Sequence, residues 1–113
     1  MSGPGNYVKR RFVYPIQTES IYPHGEVLAG AHGVLGVLVN QGRDIDTTLK
    51  RGQHLLTVGD HHYIFRPLPQ SDRGRIHAAY GLSVHRVFIE TLDRVLDDLR
   101  KSGVPAVHRP YRQ

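Results

Sequence analysis

The stretch His54-Leu55-Leu56-Thr57-Val58-Gly59-Asp60-His61-His62-Tyr63-Ile64-Phe65 decides the fold. Two runs of aliphatic, β-branched and aromatic residues flank Gly59-Asp60, a two-residue connection in which glycine supplies the positive φ that turns one strand back along the other. Pro67-Leu68-Pro69 ends the second arm, because neither proline can donate to a strand ladder. An isolated hairpin is marginal in water, so this one must belong to a larger sheet.

Working towards the N-terminus, Gly33-Val34-Leu35-Gly36-Val37-Leu38-Val39 is a short apolar run without polar alternation. That pattern predicts a strand covered on both faces, with Asn40-Gln41-Gly42 turning behind it. Residues 43–51 are polar and predict a loop with a helical turn near Thr47 to Leu49. Further back, Ser20-Ile21-Tyr22 predicts a short strand before a Pro23-His24-Gly25 turn, and Glu26-Val27-Leu28 begins another. Val8 to Tyr14 alternates apolar and basic residues as a strand does and is ended by Pro15. Residues 1–6 predict a flexible arm.

Working towards the C-terminus, Val84, Val87, Phe88, Leu92, Val95, Leu96 and Leu99 recur at three- and four-residue steps, with charged residues mainly between them. The spacing predicts an amphipathic helix over residues 83–102, about five turns long, capped by Ser83 and stopped by Gly103 and Pro105. Residues 104–107 predict a short edge strand, and residues 108–113 a basic tail. The expected architecture is α+β: one domain over residues 1–113, with a curved antiparallel sheet or small barrel of about four to six strands. The long C-terminal helix would seal that sheet against Val34, Leu35, Val37, Leu38, Leu55, Leu56 and Ile64.

Composition narrows the function classes. The chain has 113 residues, an apolar fraction of 39% and a charged fraction of 22%, which belong to a globular domain. It has no cysteine, which excludes disulfides and thiolate chemistry. Its apolar runs are too short for a membrane helix, and its start is polar where a secretory leader would be apolar. The expectation is a cytoplasmic protein, or part of a particle assembled in the cytoplasm. A formal charge of +5 makes association with polyanions easy through counterion release.

Two basic groups are candidate phosphate contacts. Between Asp72 and Glu90 lie Arg73, Arg75, His77, His85 and Arg86 with no carboxylate among them, beside the expected helix start. Free N–H groups there already carry partial positive charge, so Arg73, Arg75, His85 and Arg86 together favour an anion. If His77 or His85 takes part, affinity strengthens as pH falls through about 6.5. The second group is Lys9, Arg10 and Arg11, interleaved with Tyr7, Phe12 and Tyr14, which suits a phosphate backbone with a base stacked on a ring. The competing reading of the first group is ordinary surface cations neutralised by Asp72 or by carboxylates elsewhere; that of the second is rings turned into the core with the cations blunting an exposed edge strand.

Eight histidines raise the question of a metal. Adjacent strand residues point to opposite faces, so His61 and His62 cannot easily share one ion, and no metal or other cofactor is expected. No serine sits in a strand-turn-helix elbow, and Asp97-Asp98 lies on the exposed side of the helix, so no catalytic constellation emerges.

Two local likenesses accompany this reading. The order of a strand histidine, a proline-containing loop and a later helix histidine, between Asp60 and Arg86, resembles the ββα-metal nucleases, though without the asparagine that family places near the helix start. Gly30-Ala31-His32-Gly33-Val34-Leu35-Gly36, followed by residues 49–55, resembles the opening of the ribosome-maturation barrel family, in which a His-Gly turn joins two strands.

The expected function is a small basic, non-enzymatic binding module for nucleic acid or another polyanion. Its alternative is a homo-oligomeric structural or assembly subunit, such as a virion component, tied together by its arm and edge strands. A ββα-metal-like nuclease is the second alternative.

Overall fold

The structure, a computed structural model, describes residues 16–21, 25–30, 33–68 and 88–112. These form one antiparallel sheet and one helix, an α+β arrangement. The elements are β1 (Ile16–Ile21), β2 (Gly25–Gly30), β3 (Gly33–Gly42), β4 (His54–Val58), β5 (His61–Pro67), α1 (Phe88–Lys101) and β6 (Ala106–Pro110). The six strands lie in the order β1-β2-β3-β5-β4-β6, so among the described residues the sheet is open, with β1 and β6 at its edges. It is not the closed small barrel that the sequence allowed.

The hairpin forms where expected. Val58 pairs with His61 and His54 with Phe65, while Gly59 turns the chain at φ +63°. Gly30 likewise pairs with Gly33, which leaves two residues, Ala31 and His32, to connect β2 to β3. β3 is longer than the apolar run that announced it, because Asn40 to Gly42 continue the ladder against β5 beyond an irregularity at Val39. That residue is also 47% exposed, so the far end of the run is not covered as its pattern predicted.

Two expectations about the helix need correction. Within the described residues it spans 14 residues, Phe88–Lys101, and Ser83 lies outside them. It is also not the final element, since β6 follows it. Its end is as expected: Val104 N–H donates to the Leu99 carbonyl at 2.9 Å and Gly103 N–H to Arg100 at 3.0 Å, with Gly103 at φ +81°. This is a Schellman motif, and Val104 packs on the cluster that contains Leu99, as such ends commonly do.

The helix covers one face of the sheet. Leu92, Val95 and Leu99 bury themselves with Leu28, Leu35, Leu56, Val58, Tyr63, Phe65 and Ala106, and Leu38 packs at the margin. Each fully buried aliphatic side chain contributes about 1.5–3 kcal/mol. Of the residues expected under the helix, Leu35, Leu38 and Leu56 are there, but Val34, Val37, Leu55 and Ile64 are not. Val34 and Val37 share the other face with Val27, Ala29 and Leu68 because a bulge at Leu35 shifts the alternation between them, while alternation alone sends Leu55 and Ile64 to join Leu49, Ile45 and Tyr111.

β6 is the element that the sequence placed least well. It pairs with β4 from Val58↔Ala106 to His54↔Pro110 and so draws His108, Arg109 and Pro110 out of the expected tail and into the sheet. Flanking bonds from Gly59 N–H to Pro105 O (2.8 Å) and from Tyr111 N–H to Gln53 O (3.0 Å) fix the ladder's phase. By antiparallel alternation, Pro110 then sits in a wide pair opposite His54, and its missing N–H costs no bond to β4.

Candidate functional site

The residues predicted to hold phosphate, namely Lys9, Arg10, Arg11, Arg73, Arg75, His85 and Arg86, lie outside the described residues, as does His77. The described part of the helix has Glu90 in its first turn, a carboxylate that itself complements the positive end of the dipole.

A different cationic feature is built on the sheet face opposite the helix. Parity along β6 decides it: Ala106 and His108 face the helix, so Arg109 faces away, beside Leu55, its partner across the ladder. Tyr111 follows and packs against the cluster of Leu49, Leu55 and Ile64. Gln53 anchors the adjoining loop. Its buried side-chain Oε1 accepts the Lys50 N–H at 2.8 Å, its own N–H donates to Lys50 O at 2.9 Å, and its carbonyl takes Tyr111 N–H at 3.0 Å. Earlier in the same loop, Asp46 Oδ1 accepts Thr48 N–H at 3.0 Å, and this bond holds the carboxyl below its usual titration range. Arg109 Nη2 donates to Thr47 O at 2.9 Å and so ties the loop to the strand.

The result is a cleft of about 330 Å³ lined by Thr47, Thr48, Leu49, Arg109, Tyr111 and Arg112. Arg109 and Arg112 are exposed, and neither forms an ion pair with a described residue. By contrast, Arg43 is held by Asp60 at 2.9 Å. A guanidinium with one N–H committed to a carbonyl keeps others in its fork, so Arg109 is both positioned and able to receive an oxyanion. The half-buried Tyr111 adds an aromatic wall and the threonines add hydroxyls.

The histidines distribute themselves by the same parity. His61 Nε2 meets Gln41 Oε1 at 2.9 Å on one face, while His62 Nδ1 meets Thr57 Oγ1 at 2.8 Å on the other. On the helix face, His54 and His108 form a pair with Nδ1 and Nε2 2.9 Å apart. Their rings are 14° from parallel with centroids 5.2 Å apart, and the excess over the N···N distance is what two imidazole radii occupy. The rings are therefore nearly coplanar and meet nitrogen to nitrogen along the line of centres. Burial lowers the pKa of His54; burial and then His54 lower that of His108, while Asp93 on the helix acts to raise it.

No protein-family model, curated protein or solved structure matches this chain. The site therefore rests on its own chemistry. Among the described residues no group of three His, Asp or Glu side chains stands in an arrangement that could hold a metal ion. Most of the stretch that resembles the ββα-metal nucleases, residues 69–86, lies outside the described residues apart from Asp60 to Leu68.

Sequence reasoning missed the cleft because it placed Arg109, Tyr111 and Arg112 in a solvated tail. No alternation announced the strand, since Ala106-Val107-His108-Arg109 puts one apolar and one polar residue on each face. Pro105 precedes the strand, and Pro110 falls where its missing N–H costs no bond to β4.

Proposed function

We propose that this chain is a small, basic, non-enzymatic binding module for nucleic acid or another polyanion, and that the cleft beside β6 is one of its phosphate contacts. The observation that carries this reading is the pair Arg109 and Arg112, free of ion pairs with described residues, on either side of Tyr111 at the mouth of a cleft. Arginine forks favour phosphate, and an aromatic wall between two of them suits a base or sugar beside its phosphate. In this reading Arg73, Arg75, His85 and Arg86, with Lys9, Arg10 and Arg11, extend the positive track, an expectation taken from the sequence.

Fluorescence anisotropy with a labelled single-stranded oligonucleotide tests this. The natural chain should bind, and the double variant Arg109→Gln/Arg112→Gln should bind roughly tenfold more weakly or worse, a loss of about 1.4 kcal/mol. Equal affinity for the two chains would remove the cleft from the interface.

A second reading, a self-assembling structural subunit, draws support from the edge position of β6 and from Val107, which is 60% exposed there. Light scattering separates the two. A large closed assembly indifferent to oligonucleotide supports assembly, and a small species that binds oligonucleotide supports the binding module.

A further inference from the structure

The His54–His108 pair lies where the last strand is fastened to the sheet. Leu56 stands directly opposite His108 and Pro110 opposite His54, so the two rings meet on the diagonal between β4 and β6. The contact joins residues 54 positions apart in the chain. With both rings neutral, one nitrogen donates and the other accepts along the line of centres. With one ring protonated, the same line carries a charge-assisted bond. With both protonated, two N–H groups and two positive charges confront each other at 2.9 Å, and the rings must separate.

The surroundings decide how much charge the pair tolerates. From β5, Phe65 lies beside His54 with ring centroids 5.7 Å apart, and Tyr63 has its pKa raised by burial and stays neutral through the range in which imidazoles titrate. From the helix, Asp93 favours a proton on His108, while Arg100 is occupied further along β6 with the Ala106 carbonyl at 3.0 Å. Arg109 is on the opposite face. The described charged groups therefore offer one carboxylate to two half-buried imidazoles. It favours the first proton, and a second sets two N–H groups and two positive charges against each other along the 2.9 Å line.

We propose that His54 and His108 form a proton-operated latch, which fastens β6 to β4 until both rings are protonated and then lets the C-terminal strand go. Because β6 carries Arg109 and leads into Tyr111 and Arg112, opening the latch also dismantles the cleft. The latch stands whether or not the cleft binds a polyanion.

Amide hydrogen exchange on the full chain tests this, read as protection factors so that the intrinsic pH dependence of exchange is removed. Between about pH 7.5 and 5, either side of the ordinary imidazole value, protection of Val107 and Arg109 should fall at least tenfold. The Leu56 and Tyr63 amides, which face each other across the hairpin rather than towards β6, should lose much less. In His108→Gln, which keeps a polar side chain that does not titrate, this selective loss should disappear. An identical pH profile in His108→Gln, or no selective loss in the natural chain, would overturn the latch. Should the variant not fold, imidazole NMR titration of the natural chain decides. Two separated steps, both below the ordinary value, support the latch, and two independent titrations near 6.5 overturn it.

Discussion

Replacing Gly36 by alanine probes the closest backbone approach that the structure shows. Gly36 pairs with Pro67 where β3 crosses to β5. A Cβ placed there would lie 2.0 Å from the Arg66 carbonyl oxygen, 2.8 Å from its carbonyl carbon and 3.0 Å from Pro67 Cα. All three are backbone atoms, so no rotamer change relieves the clash. Reaching even the 3.0 Å limit of real Cβ contacts requires the oxygen to retreat by 3.0 − 2.0 = 1.0 Å. A shift of that size stretches neighbouring ladder bonds from about 2.9 Å beyond useful geometry. Overpacking costs about 1–3 kcal/mol and a lost ladder bond about 1 kcal/mol, so Gly36→Ala should destabilise the fold by about 2–4 kcal/mol. Urea denaturation followed by circular dichroism measures this as a lower midpoint at an unchanged slope. A loss below about 0.5 kcal/mol, the range of neutral surface substitutions, would mean that β3 and β5 do not meet in this register.

Other consequences are smaller or more local. Gly59→Ala has open space around its Cβ but a φ of +63°, so its cost should be the left-handed backbone penalty alone, about 1–2 kcal/mol by the same denaturation assay, with Gly59→Asn costing less. Leu99→Ala removes a side chain that is 0% exposed at the helix end of the core and should cost about 2–5 kcal/mol, measured by thermal or urea unfolding. Stability should also fall in mild acid. The pKa values of His54 and His108 are lowered in the folded state, so below the unfolded value of 6.5 the unfolded chain binds more protons. Their contribution is intact above that pH and is lost progressively as pH drops towards the lowered values. Urea midpoints that stay flat from about pH 7.5 to 5 would contradict this.

The parts of the fold that were legible in the sequence are those that local chemistry dictates. Gly59-Asp60 between two β-rich runs fixes a hairpin without help from elsewhere, and Gly103 with Pro105 ends a helix wherever the chain is heading. The helix-facing residues were harder. A run such as Val34 to Val39 shows that a strand is buried without showing which alternate side chains meet the helix, and one register step exchanges the two sets. Val34 and Val37 were assigned to the wrong side for that reason, as were Leu55 and Ile64. The β4–β6 pairing is long-range, and nothing near His108 announces that it will meet His54. Both the cleft and the latch depend on that pairing, which is why neither was visible in the sequence. The anion preference was legible as charge, but its expected carriers lie outside the described residues.

The salt dependence of affinity for the single-stranded oligonucleotide tests the polyanion reading most directly, because each phosphate neutralised adds about 0.7 to the downward slope of log K against log salt. The account predicts a clear negative slope for the natural chain and a slope shallower by about 1.4 for Arg109→Gln/Arg112→Gln. Affinity that ignores salt, or the same slope in both chains, would contradict it.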